Sequence, residues 1–374
     1  MSATPTSASL VSALIQHYDT SVLPLWTGAG WHAAMRLPYE ALSAADGKPL
    51  PVSRYRAMAC ARQLYVFSRD ARDAAHAEVL FDSLRRVFAD PRGGWYYSVD
   101  ATGAPLDDSK DLYTHAFVVF ACAAYFRQSG NAAALGVMRE TVDLIEDRFA
   151  VADGAGGLYR ASLAADLRAG DDTVLQNPMM HLTEAYLAAH AATGDDAYAT
   201  RLARLADAML RTFVDTATGC IAELPLGSAD NRIEPGHQFE WYSLVSMGRP
   251  LFGDSPLVAS LDRAYAFACR HGVAAQTQGV HAALDLHGDR TSVKDGTQRI
   301  WAQTEYARAL ALRDDAAARE ALGLWLVQFP RRFLHARGWM ECLAADGSVL
   351  RAEMPSTTPY HLATAYEALR ERVS

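Results

Sequence analysis

The sequence predicts an all-α chain closed into an (α/α)6 barrel: six helical hairpins, with long loops and short strands gathered at one end. Three observations carry this expectation. A glycine followed by a bulky or apolar residue recurs at Gly30-Trp31, Gly94-Trp95, Gly157-Leu158, Gly219-Cys220, Gly279-Val280 and Gly338-Trp339. The intervals are 64, 63, 62, 60 and 59 residues, so six units account for nearly all of the 374 residues. A helical segment lies on each side of every marker. The period is well above the roughly 34–47 residues of common helical solenoids, which favours a closed double ring over an open stack.

The segments before the markers are 5–20, 72–89, 132–150, 196–214, 255–271 and 315–329; those after are 53–68, 110–127, 177–193, 235–250, 297–312 and 358–372. Many are rich in Ala, Leu, Arg and Glu, with apolar residues at i, i+3, i+4 spacing. Leu202, Leu205, Met209, Leu210 and Phe213 form one such stripe. Short polar links, Gly194-Asp195-Asp196 and Asp314-Asp315, suit antiparallel helix hairpins. Each unit therefore reads as outer helix, long loop, inner helix. The loops carry second turns at Asp100-Ala101-Thr102-Gly103, Ala169-Gly170-Asp171, Leu286-His287-Gly288 and Asp346-Gly347, where Gly and Asp supply turn conformations and short strand pairs are expected. No linker rich in Pro, Ser or charge interrupts the chain, so residues 1–374 read as a single domain.

Half of the residues are apolar and 21% are charged, the balance of a globular protein. Lys and Arg number 35 against 43 Asp and Glu, a net charge of −8. That lacks the basic footprint of a nucleic-acid or anionic-membrane partner. The five cysteines are odd in number and none lies in a C-x-x-C spacing. This argues against a disulfide framework or zinc ribbon and for a reducing, cytoplasmic compartment. Residues 1–10 lack a basic n-region and a sustained apolar run, so no signal peptide is expected. The most apolar stretch, 116–126, falls short of the about 20 residues a bilayer span needs.

If inner and outer helices alternate, all inner-helix N-termini and the long loops share one end of the barrel. Polar and aromatic residues concentrate there: Lys110, Tyr113 and His115; Asn177, His181 and Glu184; Glu234, His237, Glu240 and Trp241; Arg299, Trp301, Gln303 and Glu305; Tyr360 and His361; and Arg54, Arg56 and Arg62. Six helix N-termini offer free N–H groups and partial positive charge, which suits an oxygen-rich ligand. Trp and Tyr suit stacking on sugar faces, and His suits proton transfer near neutral pH. Singly, each has a bland reading: a capping His, a core Trp, a Glu at 184 or 305 paired with a neighbouring Arg. Their recurrence at one location, where a barrel core should be apolar, favours function. His237-x-x-Glu240 offers two ligand types on one helical face, but a metal site needs three or four ligands, so no metal is expected. An inverting glycosidase on this barrel would need two carboxylates about 6.5–9.5 Å apart; histidines dominate the predicted mouth instead. A non-catalytic helical scaffold is the third class, and it has no use for three converging histidines.

Seven stretches resemble the N-acylglucosamine 2-epimerase superfamily: Ala61-Arg62-Gln63, Gly93-Gly94-Trp95, Lys110-x-x-Tyr113-x-His115-Ala116-Phe117, Asn177-Pro178-x-Met180-His181-Leu182-x-Glu184, Glu234-Pro235-Gly236-His237-x-x-Glu240-Trp241, Trp301-x-Gln303-Thr304-Glu305 and Thr358-Pro359-Tyr360-His361. They run from residue 61 to 362 in the expected order. The resemblance implies an (α/α)6 barrel acting on a free monosaccharide without a redox cofactor, as a monomer or homodimer. By the same resemblance, His237 and His361 match an acid/base pair and His181 a histidine that contacts the sugar. Arg62 matches an arginine at the floor of the site. Tyr113, Asn177, Glu240 and Trp301 match residues lining the sugar or orienting the histidines, and His115 and Glu305 join the expected substrate-binding set. The implied reaction is aldose–ketose isomerisation, D-mannose to D-fructose with D-lyxose to D-xylulose as a second pair, through a cis-enediolate. The alternative is a 2-epimerase of the N-acylglucosamine or cellobiose type, because both reactions begin by removing the C2 proton.

Overall fold

The protein's structure, a computed structural model, describes residues 6–152, 156–287 and 290–374. Twelve long helices run through the described residues: α1 (Ser7–His17), α2 (Ala57–Phe67), α3 (Ala74–Ser83), α4 (Leu112–Ser129), α5 (Ala132–Leu144), α6 (Gln176–Thr193), α7 (Ala197–Thr212), α8 (Pro235–Met247), α9 (Pro256–Gly272), α10 (Ile300–Ala311), α11 (Ala316–Phe333) and α12 (Thr358–Val373). The even-numbered helices form the inner ring. Each packs on the next, and α12 returns to pack on α2, which closes the barrel. The odd-numbered helices form the outer layer.

Sequence decides which layer a helix joins. α7 buries Leu202, Leu205 and Met209 and leaves Arg204 and Asp207 in water, the one-sided pattern of an outer helix. α8 is buried from Pro235 through Val245. Such a helix must be acceptable on all faces, so its polar side chains can only point along the barrel axis towards other polar groups. Helix ends are set locally. The Asp111 carboxylate accepts the Thr114 N–H at 2.8 Å to start α4, and left-handed Gly130 and Gly194 end α4 and α6.

The recurrent glycine marks a hairpin just beyond each outer helix. Ala89 bridges Trp95, Ala150 bridges Tyr159, and Val214 bridges Ile221; Val273–Ala274 pairs with Gly279–Val280, and Leu334–His335 with Gly338–Trp339. In the first unit Trp31–His32 pairs forward with Leu37–Pro38 instead. Glycine is required at Gly219, where φ is +79° and a Cβ would sit 2.5 Å from the Ser260 carbonyl oxygen.

Two kinds of departure from expectation stand out. The inner segments predicted from 53 and 297 start as helix only at 57 and 300. The preceding residues, Tyr55–Arg56 and Gln298–Arg299, are strands paired with Ser98–Val99 and Cys342–Leu343. The outer helices predicted as plain α widen into π turns at Tyr18–Val22, Leu84–Phe88 and Ile145–Phe149. Residue 5 of the first predicted segment and Gly288 of the predicted turn Leu286-His287-Gly288 lie outside the described residues. Among the described residues, no helix is long and apolar enough to cross a membrane.

Candidate active site

His181, His237 and His361 sit in the first two turns of α6, α8 and α12 and converge on the barrel axis at the loop end. The start of α8 illustrates how the sequence arranges this. Pro235 supplies a helical φ where no N–H partner is needed. A Cβ on Gly236 would meet the Trp301 ring at 2.7 Å, so only glycine lets the indole lie against the helix start. His237 follows at once. Trp301 then stands between the two expected proton-transfer histidines, its ring centroid 4.9 Å from that of His237 and 5.9 Å from that of His361.

Each histidine has its own carboxylate. His237 Nδ1 is 2.8 Å from Glu223 Oε1, His361 Nδ1 is 2.8 Å from Glu305 Oε1, and His181 Nδ1 is 3.2 Å from Glu184 Oε2. An ionised carboxylate only accepts, so Nδ1 carries the proton and Nε2 is left for chemistry. The surroundings then drive the two proton-transfer candidates apart. Burial pulls His237 down, but the charge and hydrogen bond of Glu223, with Glu234 behind, outweigh it and leave the ring more basic than usual. Burial, then Arg62 and His181, hold His361 well below the ordinary histidine range. Burial likewise lowers His181 to about 4 despite Glu184.

The remaining expected residues surround this core. Arg62 Nη2 donates to the Tyr113 hydroxyl at 2.6 Å, and its guanidinium lies over the Phe117 and Tyr360 rings at 4.2 and 4.9 Å. Tyr113 meets His181 edge-on at 4.7 Å. Asn177 is half-buried, and its Oδ1 is buried without a partner. Glu240 is buried, and its Oε1 also has no hydrogen bond. It lies 3.9 Å from His181 Nε2. Burial, with Glu305 and Glu184 nearby, pushes its carboxyl well above the usual carboxylate range.

Two expectations need correction. His115 is not a sugar contact: it is fully buried, Nδ1 donates to the Asp111 carbonyl at 2.8 Å, and Nε2 accepts the Trp95 N–H at 3.2 Å. It fastens the Gly94 hairpin to α4, which leaves neither nitrogen for a ligand. Glu305 is fully buried behind His361 and orients that ring rather than facing the sugar space. His237 and Glu240, three apart on α8, go to different clusters: Glu240 gathers with His181 and Glu184 and separately with Glu305 and His361, and His237 with Glu223 and Glu234, each trio within 4.8 Å.

Sequence reasoning missed Glu223, Gln176 and Arg308. Gln176 Nε2 donates to Glu223 at 3.0 and 3.1 Å while its Oε1 accepts Trp241 Nε1–H at 2.8 Å, fixing the carboxylate behind His237. Glu223 sits in a loop 14 residues before its histidine and carries no local motif. The one available signal is chemical: a proton-transfer histidine needs an acceptor at Nδ1.

Comparison with known proteins places this geometry. The chain is 28% identical to a mannose-6-phosphate isomerase from Rhizobium meliloti over 94% of its own length and 95% of the relative's. It is 28% identical to a D-mannose isomerase from Thermobifida fusca over 67% and 66% of the two lengths. Among solved structures, a cellobiose 2-epimerase from Bacillus thermoamylovorans superposes with a TM-score of 0.85 at 20% identity, covering 97% of this chain and 99% of that one. A D-mannose isomerase superposes with 0.84 at 20% identity, covering 99% and 100%. These neighbours share the helical barrel. The family model for N-acylglucosamine 2-epimerase (GlcNAc 2-epimerase) matches residues 39–365, and the chain is a member of that isomerase and epimerase family.

Proposed function

We propose that the protein is an aldose–ketose isomerase acting on a free monosaccharide, D-mannose to D-fructose first and D-lyxose to D-xylulose second, with the whole chain as one catalytic unit. The observation that carries the assignment of roles is the opposite displacement of His237 and His361 on the two sides of Trp301. A pair of titratable groups driven apart divides into an acid and a base. His361, neutral, takes the C2 proton of the open-chain aldose. The C2–H electron pair forms the C1=C2 bond, and the carbonyl electrons move to O1, which takes the proton of His237. Arg62 supplies donors near the developing negative charge. Transfer of the O2 proton to the now neutral His237 and return of the His361 proton to C1 give the ketose; return of the O1 proton to His237 and delivery of a proton to the opposite face of C2 give the epimer.

The two outcomes share every residue up to the enediolate, so products decide between them. Incubation with mannose in D2O should give fructose labelled at C1. N-Acetylglucosamine, whose C2 nitrogen blocks an ordinary 2-ketose product, should be unchanged, as should the disaccharide cellobiose. No fructose from mannose, with epimerisation of either control, would replace the isomerase reading by the epimerase one.

A further inference from the structure

The barrel has a second cavity, of about 420 Å³, at the end opposite the histidines. It is bounded by the C-terminal halves of the inner helices. Two of its residues, Glu184 and Arg308, also belong to the polar partition behind the candidate active site. Arg308 follows Glu305 by one turn of α10 and is buried. Its Nη1 reaches Glu305 Oε2 at 3.4 Å, and its Nη2 meets Met247 Sδ at 3.4 Å. Burial works against its charge, but Glu305, Tyr360, Glu184 and Glu240 around it more than compensate and keep it protonated. Burial raises the Glu305 carboxyl above its ordinary range, and the same guanidinium works against that rise; at Glu184, where burial also opposes the charge, His181 and this guanidinium together bring the carboxyl below its ordinary range. Those are the carboxylates that hold His361 and His181, and Tyr360 completes the group by donating to Glu184 Oε1 at 2.5 Å.

We propose that Arg308 is a positioning residue: one guanidinium in the rear partition contacts the carboxylate of Glu305 and, by its charge, favours the ionised form of Glu184 beside it, and through them fixes His361 and His181 together. The role concerns the reaction proposed above, and rests on that reading only for which step slows. His237, with Glu223 and Gln176, stands outside this arrangement. The groups that face Glu305 are His361 on α12, Glu240 on α8, His181 on α6, Arg62 on α2 and Arg308 on its own helix. Those facing Glu184 are His181, Tyr360, Arg308 and Glu240. Without Arg308, Glu305 takes up a proton at higher pH and ceases to accept from His361.

The test uses Arg308→Met, Arg308→Ala and Arg308→Lys in the full chain, read by exchange of the sugar's C2 proton in D2O. Arg308→Met should lower kcat about 10–100-fold, the cost of one charge-assisted contact, with KM nearly unchanged. The acid limb of its pH profile should move to higher pH, which a packing defect would not cause. Arg308→Lys keeps the charge without the planar fork, so its acid limb should stay near wild type while kcat recovers in part. The rear cavity gives methylguanidinium a route to the vacated place, so it should restore Arg308→Ala and leave His361→Asn unchanged. A wild-type rate and acid limb in Arg308→Met overturn the proposal, as does a rate loss with neither limb shift nor rescue. If the Met and Ala variants fail to fold, wild-type kcat in Arg308→Lys overturns it and a reduced kcat at unchanged KM supports it. If the wild-type protein exchanges no sugar proton at all, the functional reading fails. Arg308 is then judged by imidazole 15N spectra, in which Arg308→Met should move His361 and His181 and leave His237 in place; three unmoved rings refute it.

Discussion

Replacing Glu223 by Gln isolates the charge that makes His237 an acid. The two side chains are buried at 7% and 8% exposure and meet at 2.8 Å. Glutamine keeps the size and one oxygen, shared by Nδ1–H and the Gln176 amide, so the change deletes the charge and one of the two Gln176 contacts. A hydrogen bond to a charged group contributes about 1.5–3 kcal/mol, of which a neutral acceptor keeps about 1 kcal/mol. The difference, about 0.5–2 kcal/mol, corresponds to roughly one pH unit. The sign follows from the direction of the displacement: a histidine raised by its partner holds its proton below the raised value and loses it as pH climbs. In Glu223→Gln the basic limb of kcat/KM should therefore move down by about one pH unit, cutting activity at mildly alkaline pH by about 10-fold. The acid limb, which belongs to His361 and Glu305, should stay. The same linkage makes the Glu223–His237 pair a stabilising contact below the unfolded histidine value that fades as pH rises through the folded one. The assay is a pH series of mannose turnover, with Glu223→Gln checked against wild type for an unchanged melting temperature. A basic limb that stays where the wild type has it would refute the assignment of His237 as the proton donor.

Three further outcomes are expected. His361→Asn and His237→Asn should each lower kcat about 10²–10⁴-fold with the fold intact, and His361→Asn should stop C2 exchange in D2O; exchange at the wild-type rate removes its role as base. His115→Ala should leave KM and kcat close to wild type but cost about 1–3 kcal/mol of stability by stranding the Trp95 N–H, read from denaturant melts. Exhaustive chelation should leave turnover unchanged, because in each cluster the histidine Nδ1 is already engaged by a carboxylate of Glu223, Glu305 or Glu184; loss with EDTA and recovery with a divalent ion would turn one of these clusters into a metal site.

The sequence disclosed the architecture because its signals were periodic. The six glycine markers and the paired helical segments reported a repeat, and closure into a ring satisfied the apolar stripes of both layers. The histidines were legible for a related reason: polar residues recurring at inner-helix starts are incompatible with a purely apolar core. What stayed hidden was relational. Nothing near Glu223 shows that it faces His237, and nothing in the His115 stretch shows that both its nitrogens meet backbone groups. Arg308 reads in sequence as one more arginine on a helix, since only the ring places it beside three carboxylates. The strand starts at Tyr55 and Gln298 were likewise masked, because short strands take their identity from partners supplied by another repeat.

The closure between α12 and α2 has a consequence for how the molecule comes into being. The Gln63 amide donates to the Ser356 carbonyl across 293 positions of chain, and the Tyr18 hydroxyl to the Pro359 carbonyl across 341. His361 stands on one side of this seam and Arg62 on the other. Contacts of such separation carry the largest loop-closure entropy and form late. A chain that has folded its first five hairpins therefore holds His181 and His237 in a half-built mouth, open to water along one side and without a base. Activity should emerge in one step with seam closure, after most of the helix has formed, and refolding followed by turnover should lag refolding followed by circular dichroism.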